Sequence, residues 1–279
     1  IEENKDDPFY LYWATPIPHV ALQAPDHWVD YYVEKFGDEK PYLGERHYFP
    51  HRYPHAAYAA MVSYLDERVG ELVRTLKDKG IYDNTLIIFT SDNGPSYNGG
   101  TDSPWFNSGG PFKSEQGRAK GYLYEGGIRV PLIASWPGRI RPGTASGHIS
   151  AFWDVLPTLC DAADVEVPEK TDGISFLPEL LGDKNQKKHE YLFWDFPGYN
   201  GQQAVRINQW KGIRKNILKG NLEIELYNLN DDLQEQHNVA NQHPEIVRQM
   251  EQIMKEEHTQ SELNIFRMKA LGDSLIEKH

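Results

Sequence analysis

Cysteine is almost missing from this chain: Cys160 is the only one in 279 residues. One thiol excludes an internal disulfide and any metal centre built from several thiolates. Basic residues are also scarce, 29 against 41 acidic, for a formal net charge of -12. That balance excludes nucleic acid as the main partner, because phosphate backbones are bound by basic surfaces. It leaves room for an anion held in a local basic pocket. No apolar run reaches the length of a membrane span, and the first residues lack the pattern of a secretory signal. The opening "IEENKDDPFYLYWATP" has no Met and looks like a charged helix tail running into a strand, so the chain is expected to continue upstream.

What is present is an ordinary folding composition, with 25% charged and 12% aromatic residues, long enough for one large domain or a core with an appendage. "FYLYWAT" (9–15) predicts a short buried strand, followed by an irregular, aromatic-rich loop to about Pro54. Met61, Leu65, Val69, Leu72, Val73 and Leu76 recur at helical spacing, predicting a helix over 56–79 that Gly80 stops. "TLIIFTSDNG" and "VPLIASWPG" each predict a strand buried on both faces. "FWDVLPTLCDAADV" predicts a helix beginning near Asp154. This alternation is that of an α/β domain with a largely parallel sheet. After about Leu181, "YLFWDF", "QAVRIN", "WKGIRKN" and "EIELYNL" predict a small antiparallel sheet, and a final helix spans Pro244 to His258. The expected division is therefore 1–181 and 182–279.

Three loops carry candidate chemistry. In open α/β sheets ligands bind beyond the carboxyl ends of strands. Asp92 and Asn93 stand at such an end and offer hard oxygen donors, suited to Ca²⁺ or Mg²⁺ rather than zinc. Asp-Asn-Gly is equally good turn sequence, and two donors are too few for Ca²⁺ by themselves. His19 lies between Pro18 and "VALQAP", where prolines stiffen the loop as a general acid requires; a structural histidine is the alternative. In "GRAKGYLYEGGIRVP", Lys120 could bind a tetrahedral anion, while Gly126 and Gly127 permit positive φ and close backbone approach. The alternative is a β-bulge with a solvated lysine and a structural Arg129–Glu125 pair.

Taken together, "PHVAL", "SDNG" and "KGYLYEGGIRVP", in this order, resemble the sulfatase family of the alkaline-phosphatase superfamily. "DVLPTL" and the stretch from "AVRINQWKGIRKN" to "ELYNLNDDLQEQHNVA" resemble later parts of the same family. The resemblance implies hydrolysis of sulfate esters, of a small molecule or a glycan, at a Ca²⁺ site with a formylglycine nucleophile. It implies Asp92 and Asn93 as metal ligands, Lys120 as a sulfate contact and His19 as general acid or sulfate ligand. It also implies export to the periplasm, the lysosome or outside the cell. One departure stands out: no Cys/Ser-x-Pro-x-Arg motif of the nucleophile, with an acidic metal pair before it and a Lys-x-His after it, precedes "PHVAL" near the N-terminus, where the family carries it. The chain thus resembles the C-terminal part of such an enzyme, with the formylglycine expected in an N-terminal region and no turnover expected from this part alone. A phosphoesterase or phosphonate-ester hydrolase of the same superfamily is an alternative, as is a non-catalytic fragment that binds sulfated glycans.

Other residues weigh less. Cys160 lies on an apolar helix without the nucleophile's flanking residues and is expected in the core. His47, His51 and His55 recur every fourth residue, but Pro50 and Pro54 are expected to break the helix that would align them; they are placed instead at a cleft mouth. Trp194 could stack on a sugar ring, or its strand could pack on the final helix.

Overall fold

Residues 26–36 already depart from the loop expected before Pro54: they form helix α1 (Asp26–Phe36), ended by Gly37 at φ 78°. The computed structural model describes residues 1–45, 48–168 and 170–276. The α1 pattern was obscured because none of its residues is buried, so its aromatics do not form a core stripe. Trp28 and Tyr32 instead face helix α2 (Pro54–Asp78), where Trp28 Nε1 donates to Glu67 at 2.8 Å and the Tyr32 hydroxyl meets that of Ser63 at 2.7 Å. Pro54 does not break α2. It occupies the first turn, where no amide hydrogen is needed. The Glu39 carboxylate caps this end by accepting from the His55 and Ala56 amides at 2.8 and 3.1 Å.

Strand β1 (Ile87–Thr90) pairs with β2 (Leu132–Ser135), Ile87 opposite Ser135 and Thr90 opposite Leu132. The pairing is antiparallel, and no parallel pair forms among the described residues. Neither strand is buried on both faces: Phe89, Leu132 and Ile133 are exposed. The 9–15 segment forms no strand among the described residues, and Tyr10 and Tyr12 are 70% and 72% exposed. The segment is apolar and aromatic enough for a strand, but a strand exists only where a neighbour completes its hydrogen bonds.

Two single turns, α3 (Ser103–Phe106) and α4 (Glu125–Ile128), interrupt the long connection between β1 and β2. Helix α5 (Val155–Ala162) follows Asp154, whose buried carboxylate accepts from the Ala151 and Ile174 amides and bonds to His189 Nε2 at 2.8 Å. Thr158 then ties α5 to α6 (Leu177–Leu181) by accepting from the Phe176 amide. Cys160 is a buried free thiol, as expected.

The last third folds as expected. Strands β3 (Leu192–Phe196), β4 (Gln202–Ile207), β5 (Trp210–Lys215) and β6 (Ile224–Asn228) form an antiparallel meander. Alternation sends Val205, Ile224 and Leu226 to one face, against Met250, Ile253 and Met254 of α7 (Pro244–Glu257). Ala204, Ile213 and Tyr227 line the other face, against Leu123 and Tyr124 of the β1–β2 connection. The sheet is therefore covered on both sides, and its second face holds the segment that carries Lys120.

Candidate functional site

Strand β1 ends in the turn Ser91–Gly94, built by local polar side chains. The Ser91 hydroxyl donates to the Asn93 carbonyl at 2.9 Å, and Asn93 Nδ2 donates to the Gly94 carbonyl at 2.8 Å. Two backbone bonds then join this turn to the Lys120 segment: Gly94 N–H to the Gly127 carbonyl at 2.8 Å, and Lys120 N–H to the Pro95 carbonyl at 3.1 Å. The approach is so close that only glycine fits. A Cβ on Gly94 would lie 1.9 Å from the Gly126 carbonyl oxygen, and one on Gly126 would lie 1.8 Å from that of Lys113. Close approach, not positive φ, is thus what Gly126 and Gly127 supply, since neither adopts the left-handed region.

This packing leaves the chemistry free. Asp92 is exposed, and neither its carboxylate nor the Lys120 ammonium hydrogen-bonds or ion-pairs with any described residue. Asn93 spends its Nδ2 locally and keeps its Oδ1 available. By donor type the Asp92–Asn93 pair fits a hard cation. By number it is part of a shell, because Ca²⁺ takes six to eight oxygens and no group of three or more His, Cys, Asp or Glu among the described residues could hold a metal.

His19 sits in a neighbouring loop. Its ring Nδ1 lies 2.5 Å from the Val20 carbonyl oxygen, which can only accept, so Nδ1 carries a proton and Nε2 is the free nitrogen. The ring stands edge-on to Tyr48 at 6.2 Å. Buried Val20 fills the space over Gly99, where a Cβ would meet its Cγ1 at 2.6 Å, so the His19 loop abuts the loop that continues from Asn93. A groove of about 430 Å³ opens beside it, lined by Ala21, Leu43, Gly44, Tyr48, Phe49 and Pro50. No side chain of His19, Asp92, Asn93 or Lys120 hydrogen-bonds to another of the four.

The Arg129–Glu125 pair is structural, at 3.1 Å, and belongs to a larger buried network. Glu125 Oε1 lies 2.7 Å from the fully buried Lys211 ammonium on β5, and Arg206 on β4 is 3.5 Å from Oε2. Glu235 accepts the Glu125 amide at 2.7 Å and lies 3.4 Å from Lys211. Burial works against charge on Glu125, but Lys211, then Arg206 and Arg129, outweigh it and bring its pKa down to about 2. Burial dominates at Glu235 and raises its pKa. Sequence spacing gave no sign of this network, because Lys211 is 86 residues from Glu125.

The histidine series separates. His47 lies outside the described residues. His51 bridges to Tyr42, and its Nδ1 accepts from the Tyr53 amide. His55 is held between Glu39 and Asp102 and stacks on Trp105 at 4.3 Å. Trp194 packs on the Leu123–Tyr124 face of the sheet and beside Trp153, while its neighbours Tyr191 and Phe193 face α7.

Comparison with known proteins identifies two matching family models, Sulfatase over residues 1–165 and N-sulphoglucosamine sulphohydrolase, C-terminal, over residues 117–260. An N-acetylgalactosamine-6-O-sulfatase of Bacteroides thetaiotaomicron is 30% identical over 271 residues, covering 91% of this chain and 48% of that protein. Human arylsulfatase A is 31% identical over 214 residues, covering 75% of this chain and 36% of that protein. The crystal structure of Ps i-CgsB superposes with a TM-score of 0.72 at 27% identity, covering 91% of this chain and 51% of that one. The chain thus spans between about a third and about half of the length of these relatives.

Proposed function

Because the chain belongs to the sulfatase family, we propose that it forms part of the active site of a sulfuric ester hydrolase acting on a sulfated glycan or an aryl sulfate. The observation that carries this reading is the double backbone tie between the Asp92–Asn93 turn and the Lys120 segment, two loops on which an acid, an amide oxygen and an ammonium stay unpaired among the described residues. Asp92 and Asn93 are two ligands of a Ca²⁺ ion, in preference to Mg²⁺; when bound, that ion supplies positive charge beside the sulfuryl oxygens. Lys120 contacts those oxygens and offsets the charge that grows on them as the S–O bond breaks. His19, with Nδ1–H committed to the Val20 carbonyl, gives the departing alkoxide a proton from Nε2 when the ring is doubly protonated, and is left as the neutral Nδ1–H form.

The nucleophile, a formylglycine, comes from a segment with a Cys/Ser-x-Pro-x-Arg motif; the match to that pattern in these 279 residues, Ser135-Trp136-Pro137-Gly138-Arg139, lies at the end of β2, after the Lys120 segment, and does not take that role. Residues 1–181 act as a portion of the catalytic α/β unit and 182–279 as a subdomain that supports it, a reading supported by the Glu125–Lys211 network between them. The same reading places the protein in the periplasm, the lysosome or outside the cell. The test is hydrolysis of a sugar sulfate by a protein carrying this chain together with the motif-bearing segment. Activity should fall sharply in Lys120→Ala and His19→Ala, and near-normal rates in both would refute the roles assigned.

A further inference from the structure

The turn between β3 and β4 has an uncommon backbone. Tyr199 and Asn200 both lie in the left-handed region, at φ 51° and 71°, followed by Gly201 at 77°. A tyrosine held there is strained, and its surroundings must offset the strain. Three sets of contacts do so, all directed at the residues around Lys120. The Tyr199 ring lies over Gly121, where a Cβ would stand 2.5 Å from its Cε2 and Cζ. The Tyr97 hydroxyl neighbours those of Tyr199 and Tyr122, and the Tyr122 and Tyr199 rings are 5.1 Å apart. Buried Gln202, at the start of β4, donates from Nε2 to the Gly121 carbonyl at 2.9 Å and accepts the Leu123 amide at 3.3 Å.

The small sheet therefore fixes an aromatic ring, 48% exposed, at the residue following Lys120, whose ammonium is unpaired among the described residues. A bare sulfate offers nothing to such a ring, because all its surface is polar. A sugar sulfate does: one face of a pyranose presents C–H groups that fit against an aromatic face. We propose that Tyr199 is a specificity-determining residue of the Lys120 site, receiving the apolar face of the pyranose whose ester sulfate Lys120 binds. This deepens the sulfatase reading and rests on it, narrowing the substrate class to cyclic sugar sulfates over acyclic alkyl sulfates. Tyr97 and Tyr122 are positioning residues that set the tilt of the ring. Burial, then the neighbouring tyrosines, push the Tyr97 pKa up to about 12, so its hydroxyl stays protonated across neutral pH.

Titration calorimetry in calcium-containing buffer tests this, comparing glucose 6-sulfate with methyl sulfate on the unmodified chain, Tyr199→Ala, Tyr199→Phe and Lys120→Ala. The sugar sulfate should bind about tenfold more tightly than methyl sulfate to the unmodified chain, the size of a good aromatic contact. Tyr199→Ala should erase that ratio and leave methyl sulfate unchanged, Tyr199→Phe should keep it, and Lys120→Ala should weaken both ligands. Tyr199→Asn, whose residue type tolerates left-handed backbone, replaces the alanine variant if that unfolds. An unchanged ratio in the ring-less variant, or equal loss of both ligands with unchanged thermal unfolding, overturns the role of Tyr199 alone. Failure of the unmodified chain to bind either sulfate, or binding indifferent to Lys120→Ala, overturns the sulfate site and the proposal with it.

Discussion

The Lys211 ammonium lies 2.7 Å from Glu125 Oε1 with neither side chain open to solvent, and this contact joins the small sheet to the loop that presents Lys120. Glu125 sits inside "YEGGIRVP", five residues after Lys120. The most recognisable stretch of the sequence is thus held from beneath by a charge that arrives from β5.

Removing one partner of this pair leaves the other charged and buried. Lys211→Met should destabilise the protein by about 3–5 kcal/mol, read as a lower urea midpoint. Lys211→Met combined with Glu125→Gln should recover part of that loss, because the orphaned charge goes as well. A single variant with an unchanged midpoint would show that the pair carries no stability.

Acid should loosen the same junction. Glu125 is held at about 2, below its ordinary 4.5, so its contribution is complete above 4.5 and is lost as pH falls from there toward 2. Glu235, shifted upward, works in the opposite sense: its contribution is complete below its ordinary value and is lost as pH rises through its folded value. The melting temperature should fall between pH 4.5 and 2, and the part of the fall due to Glu125 should vanish in Glu125→Gln.

His258 predicts a transition on the alkaline side. Burial opposes its charge, but Asp195 at Nδ1 and Asp273 at Nε2 outweigh burial and raise its pKa above the ordinary 6.5. Its contribution is complete below 6.5 and is lost as pH rises through the folded value. Residues 259–276, pinned by this clasp, should exchange amide hydrogens faster at pH 9 than at pH 6, after correction for intrinsic rates. His258→Ala should remove the difference.

Gly94→Ala should be far more damaging than an average surface change, because its Cβ would overlap the Gly126 carbonyl at 1.9 Å. Separating the two loops breaks the Gly94–Gly127 and Lys120–Pro95 bonds, for a loss of roughly 2–4 kcal/mol in thermal unfolding. Gly138→Ala, where nothing lies within 4 Å, is the control; it still has φ 79°, so a loss of about 1 kcal/mol is expected there.

The leaving group separates the roles proposed for His19 and Lys120. In an active protein carrying this chain, His19→Ala should cost about 10²–10⁴ in kcat on a sugar sulfate, and much less on 4-nitrophenyl sulfate, whose phenolate departs unaided. Lys120→Ala should cost a similar factor, about 10²–10³, on both substrates. Equal effects of His19→Ala on the two esters would exclude proton donation.

Much of the architecture was legible because local patterns and burial agreed. The four-stranded meander and α7 bury the faces that their alternation and periodicity mark, while α2 and α5 form where expected but bury only part of theirs, Met61 and Leu76 in α2. Helix α1 escaped because its aromatics contact a neighbouring helix without being buried. Segment 9–15 and strands β1 and β2 show the opposite failure: strong β pattern, yet open apolar faces, because burial depends on what packs alongside and not on the residues themselves.

The sequence by itself determined the candidate chemistry, an acid–amide pair in a turn after an apolar run, a lysine before paired glycines and a histidine between prolines, since these depend on residue type and short spacing. Only tertiary structure decided what holds them. Lys211 meets Glu125 across 86 residues and Gln202 meets Gly121 across 81, and contacts so distant along the chain leave no periodic trace, because they are set by how a separate sheet docks on the loop.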